Sequence, residues 1–199
     1  MGAQRNWVLR GTAATAGTAL AVLAMGGEPV DVATIIRKLD VETMRRDALW
    51  ALGFAGTVPA AEAALAWIAD DALGKIAGES FATITGARIS GPLAKVGQVD
   101  NSPPPQPEED DEPVPALLPE DSLPDPNADR LLAWWKSAGA RFGAEVRYLH
   151  GAPWSLEAVR VASVTGPTWR RRPWNMELAI QRQGDVDVRT WARRQLDRG

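Results

Sequence analysis

The stretches ALAVLAMGG, residues 19–27, and ALWALGFAG, residues 48–56, superpose when one is shifted by 29 positions. Ala19, Leu20, Leu23 and Gly27 then fall on Ala48, Leu49, Leu52 and Gly56. A third copy, AGESFATITG at residues 77–86, keeps Ala77 and Phe81 in phase and reaches Gly86 with one extra residue. Self-similarity at this period is the mark of stacked helical units, each too small to bury its own apolar face. Within a copy, Ala48, Leu49, Leu52 and Ala55 recur at helical spacing, and Gly56 is placed to cap in the left-handed conformation. A second helix follows in TVPAAEAALAWIAD, with Thr57 as cap, Pro59 in the first turn, Ala61, Leu65 and Ile68 on one stripe and Glu62 facing out. GGEPVDVATIIRKL carries the same turn-and-helix logic one unit earlier.

Composition limits the chemistry. A chain of 199 residues, 45% of them hydrophobic, can build a real core. With no cysteine, disulfides, thiolate zinc sites, iron-sulfur clusters and cysteine nucleophiles are excluded. The single histidine, His150, cannot form a multi-histidine metal site and reads as a surface or interface residue. No G-x-S-x-G elbow accompanies it, so a serine triad has no support. No cofactor is expected and no catalytic motif is present. Asp70 and Asp71, the one conspicuous carboxylate pair among the helices, read as caps for the turn before ALGKIAG.

Charge divides the chain. The net is 0 over residues 1–99, −10 over 100–129 and +7 over 130–199. Residues 99–128 are dense in proline and acid, which predicts a disordered acidic linker between helical repeats at 1–98 and a basic helical unit at 129–199. The EEDDE run at 108–112 lacks the ligand spacing and turn glycines of a metal loop. Ahead of the repeats, Arg5 and Arg10 precede a Thr-, Ala- and Gly-rich stretch. Ala19-Leu20-Ala21 fits a signal cleavage rule, yet the core is too weak for export and too short to span a bilayer, so a cytoplasmic protein is expected.

In the C-terminal unit, Leu131, Trp134, Trp135, Ala138 and Phe142 form a helical stripe ended by Gly143. VRYLHGAPW reads as a short extended or irregular crossing, and Ser155 caps SLEAVRVASVTG, which Gly166 closes. MELAIQRQG forms the next helix, and Asp187 caps a last one with Val188, Trp191, Ala192 and Leu196 on its apolar face.

These residues resemble bacterial HEAT-repeat proteins, in particular a family encoded near type VI secretion systems. The resemblance runs through residues 48–86, then DRLLAWWKSAGARF, VRYLHGAPWSLEAV and GPTWRRRPWNMELAIQRQGDVDVRTWARRQ. It implies an all-α protein, an α-solenoid of short HEAT-like helix pairs, acting without catalysis as an adaptor. Members of that family are considerably longer, so the chain is expected to be the C-terminal part of one, with an exposed apolar face at its N-terminal end and self-association through it. Where the family has an unbroken helix after GP, this sequence has Pro173, which disfavours helix at Arg172.

The candidate binding residues are Trp169, Arg170, Arg171, Arg172 and Trp174, the WRRRPW stretch. With Pro173 in a first helical turn, three arginines at a positive helix end each cost about a few tenths of a kcal/mol, so local stability does not explain them. Three readings follow. The arginines form a solvated turn paired with EEDDE, a docking site for an acidic protein surface with Trp169 or Trp174 as anchor, or a nucleic-acid contact of a HEAT-like DNA glycosylase kind. Docking is the reading adopted, with nucleic acid as the alternative.

Overall fold

The computed structural model describes residues 13–95 and 119–181, and within them the chain is mostly helical with one two-stranded sheet. Among the described residues eight α-helices run in the order α1 Ala13–Gly26, α2 Pro29–Arg37, α3 Glu42–Ala55, α4 Val58–Leu65, α5 Gly74–Thr85, α6 Ala128–Ala138, α7 Leu156–Thr165 and α8 Thr168–Gln181. Strands β1 Tyr148–Leu149 and β2 Ala152–Pro153 form a hairpin between α6 and α7. No described helix is long and apolar enough to cross a membrane.

The repeated segments become α1, α3 and α5. Helix α3 packs against α1 on one side and α5 on the other, while α2 and α4 return the chain between them. Each of the three ends on a glycine with positive φ: Gly27 at 65°, Gly56 at 70° and Gly86 at 72°. Side-chain caps open α4 and α7, and Asp70 caps the turn that precedes α5. Thr57 Oγ1 accepts from Ala60 N at 3.4 Å, Asp70 Oδ1 accepts from Ala72 N and Leu73 N at 2.9 Å each, and Ser155 Oγ accepts from Ala158 N at 3.1 Å. Ala48, Leu49, Ala51, Leu52 and Ala55 are fully buried, because alanine lets these helices approach closely.

One hydrophobic core joins the described repeat helices to the described part of the C-terminal unit. Leu131, Tyr148, Leu149, Val159, Trp174 and Leu178 join it from the C-terminal unit. Helix α6 docks on α5 through aromatic edges, Phe81 lying 5.9 Å from Trp134 and 5.5 Å from Trp135 between ring centroids. Helix α8 packs on α7 and also reaches α1.

The structure differs from the sequence reading in four places. The acidic linker is structured over its last ten residues: Lys95 N donates to Asp125 O and Asn127 N to Leu93 O, both at 2.8 Å, and Pro126 is buried over Gly74 and Gly78. Proline there fills space that a glycine-bearing helix leaves open, which composition alone conceals. Residues 99–118 of that segment lie outside the described residues, as do residues 1–12 and the final helix read around Val188, Trp191, Ala192 and Leu196. Helix α6 tightens into a 3-10 turn at Gly139–Arg141 rather than continuing to Gly143, whose N–H donates instead to the Tyr148 hydroxyl at 2.8 Å. The apolar face expected at the N-terminal end is absent from the described part of α1, where Ala19, Leu20, Ala21, Leu23, Ala24 and Met25 are all buried. Finally, WRRRPW is not an entry turn: α8 begins at Thr168 and runs through Pro173.

Candidate functional site

Every residue of WRRRPW lies inside α8, with Pro173 as its sixth residue. Proline there withholds the N–H that would meet the Trp169 carbonyl, a loss that normally bends or ends a helix. In the same turn Asn175 Nδ2 donates to the Arg171 carbonyl at 2.9 Å. The burial of Arg170, Pro173, Trp174, Glu177 and Leu178 along one face outweighs the missing bond.

Arg170 has no exposed surface. Its Nε donates to Glu79 Oε1 at 2.6 Å, its Nη2 donates to Glu79 Oε2 and to Ser80 Oγ, the latter at 2.9 Å, and its Nη1 donates to the Trp50 carbonyl at 3.2 Å. The guanidinium lies 4.6 Å from the centre of the Phe54 ring. Thr83 Oγ1 supports the same carboxylate at 3.1 Å. The channel exists because position 53 is glycine: a Cβ there would sit 2.5 Å from Arg170 Nη2. Such a bidentate, fully satisfied pair is the arrangement in which a charge can be buried.

A second arginine makes a parallel clamp. Arg147 Nε donates to the Ala55 carbonyl at 3.1 Å, and its Nη2 donates to the Phe54 carbonyl and to Glu177 Oε1, both at 2.9 Å. Trp154 Nε1 donates to the same Glu177 oxygen at 3.0 Å, and the guanidinium lies 4.8 Å from the Trp154 ring centre. Burial pushes the Glu177 carboxyl above its ordinary value near 4.5, and the bonds from Arg147 and Trp154 oppose that shift. A carboxyl raised in the folded state binds its proton more tightly there than in the unfolded chain. Its contribution to stability therefore falls as pH rises from about 4.5 through its native value. Glu177→Gln should flatten that part of the stability profile, as checked by urea unfolding at a series of pH values; an unchanged slope would contradict the assignment.

Between these clamps the segment from Arg147 to Gly151 crosses the C-terminal ends of the three repeat helices. Arg147 lies against Gly27, Tyr148 N donates to the Gly56 carbonyl at 2.6 Å, and His150 N and Gly151 N donate to the Thr83 and Ile84 carbonyls at 2.7 and 2.9 Å. Positive φ at His150 (52°) and Gly151 (81°) makes the two-residue turn of the hairpin. The His150 ring meets Trp174 edge-on at 5.9 Å, and burial, with the nearby Arg170 charge, lowers its pKa below 6.5 against the opposing pull of Glu79. An open cavity of about 410 Å³ lies between this turn, the end of α5 and the end of α6.

The sequence-read site is thus divided. Arg170 and Trp174 are internal and unavailable to a partner in this arrangement, since an acid of the N-terminal unit and the shared core already occupy them. Trp169 is half-buried, and Arg171 and Arg172 are exposed, with Arg171 Nε donating to the Gly166 carbonyl at 2.7 Å. The acid that meets Arg170 is Glu79, and the EEDDE run lies outside the described residues. Sequence reasoning passed over Glu79, Arg147 and Glu177. The usable signal for Glu79 was a carboxylate inside AGESFATIT, a helix buried on nearly every side. Among the described residues no three His, Asp or Glu side chains converge as metal ligands.

No family model, curated protein or solved structure matches the chain.

Proposed function

We propose that this chain is a non-catalytic adaptor, a short HEAT-like α-solenoid that binds an acidic protein surface in a bacterial, cytoplasmic type VI secretion setting. The observation that carries the reading is the succession α1, α3, α5, three copies of one helix packed side by side and each closed by a left-handed glycine. That is the construction by which repeat proteins present an extended surface to a partner. The resemblance across residues 48–86 and 129–195 supplies the setting. The docking residues on this reading are the exposed Arg171 and Arg172, with the half-buried Trp169 beside them, while Arg170 and Trp174 hold α8 in place.

Charge reversal separates docking from folding. Arg171→Glu with Arg172→Glu should leave thermal unfolding within about 0.5 kcal/mol of the parent, as expected for exposed substitutions. The same change should abolish cross-linking to purified type VI secretion components. Equal cross-linking by both forms, or none by the parent, would refute the reading. The nucleic-acid alternative rests on the +7 charge of residues 130–199 and would show as salt-dependent retardation of DNA.

A further inference from the structure

The open cavity beside His150 is lined by Trp134, Phe142, Arg141, Ala152, Thr85 and the hairpin turn. Its polar equipment is one-sided. Arg141 donates one hydrogen bond, from Nε to the Ala138 carbonyl at 3.3 Å; its guanidinium lies 5.8 Å from the centres of both the Trp134 and the Phe142 ring, and its two Nη groups donate to no described residue. Neither the Trp134 Nε1 nor the ring nitrogens of His150 bond to a described residue, and no carboxylate lines the space. The carbonyl end of α5 would ordinarily oppose an anion here. Three of its carbonyls, on Ala82, Thr83 and Ile84, are already taken by the N–H groups of Gly86, His150 and Gly151.

Backbone strain points to the same place. His150 is the one non-glycine residue with positive φ among those described, in a turn position that asparagine or glycine fills more cheaply. A strained residue held by neighbouring backbone bonds and lining a cavity is a pattern of binding sites. The volume is within the ordinary range for ligand pockets, and its openness suits a group on a longer chain better than an enclosed small molecule. A single guanidinium is too little for a nucleic-acid backbone, which is held by several cations.

We propose that this groove binds a carboxylate side chain of an acidic peptide, with Arg141 gripping the carboxylate, His150 and the Trp134 indole N–H as further partners, and the Trp134 and Phe142 rings receiving an adjacent apolar residue. This deepens the docking reading and rests on it for its biological meaning, but it can be tested apart from it.

His150 is the only histidine, so its imidazole signals in an NMR spectrum of the full chain need no assignment. The probes are acetyl-Ala-Phe-Glu-Glu-amide, its Gln-Gln counterpart and inorganic phosphate. The acidic peptide should shift the imidazole signals saturably, and the other two should not. Arg141→Ala should weaken binding at least tenfold, with Arg141→Lys between it and the parent. Should Arg141→Ala fail to fold, Ala152→Glu places a competing carboxylate at the cavity and should abolish the response. No shift with the acidic peptide, an equal shift with the glutamine peptide or with phosphate, or binding indifferent to these variants would overturn the proposal. A silent groove alongside cross-linking that still depends on Arg171 and Arg172 would remove this site and leave the docking reading standing.

Discussion

Glu79→Gln is expected to destabilise the protein by about 3–5 kcal/mol, because it strands the Arg170 guanidinium inside the core with its charge uncompensated. Arg170→Met should cost a similar amount by leaving the carboxylate, which is only slightly exposed, without its cation. The pair replaced together, Glu79→Met with Arg170→Met, should recover most of the loss, since two apolar side chains of similar volume need no partner. Urea unfolding followed by tryptophan fluorescence would give all corners of this cycle. A coupling below about 0.5 kcal/mol would mean that the two residues act independently and that the buried clamp is not formed.

The second large effect is expected at Gly86. An alanine there must adopt a left-handed backbone, and its Cβ would lie 2.7 Å from the His150 carbonyl carbon and 3.1 Å from Gly151 N. Backbone strain of about 1–2 kcal/mol adds to the cost of lifting the hairpin from the end of α5, giving a loss of about 2–4 kcal/mol for Gly86→Ala. Gly26→Ala is the control. That residue ends α1 with nothing within 4 Å of an added Cβ, so its stability should be unchanged or raised by about 0.5 kcal/mol. Chemical denaturation of both variants by circular dichroism checks the pair, and equal midpoints would contradict the contact with the hairpin.

What could be read from the residues was set by distance along the chain. Thr57, Asp70 and Ser155 act on N–H groups two or three residues away, and Gly56 on its own backbone, so their roles follow from local chemistry. The helical stripe of α6 was legible for the same reason. The partner of Arg170 was not, because Glu79 stands 91 residues earlier and nothing between them announces the pairing. Pro173 misled in the opposite direction. Its local preference predicts a boundary, but one lost hydrogen bond is outweighed when Trp174 and Leu178 are buried on the same face. The tryptophans of WRRRPW likewise looked like surface anchors, although burial gives Trp174 to the core. Linker composition concealed Pro126 as a packing residue, because proline content reports what a segment cannot form and not what it can lie against.

The arginine that closes on Glu79 has a consequence for synthesis. At the usual elongation rate of roughly 5 to 20 residues per second, the 91 residues separating the two take roughly 5 to 20 seconds to emerge. Through that interval the nascent repeat helices carry a carboxylate that must stay hydrated, and the Gly53 channel has nothing to fill it. The Gly56, Thr83 and Ile84 carbonyls wait equally for the backbone of residues 148–151. The first half of the chain is therefore born without its lid, and the ribosome's own clock sets how long its apolar layer is open to other proteins.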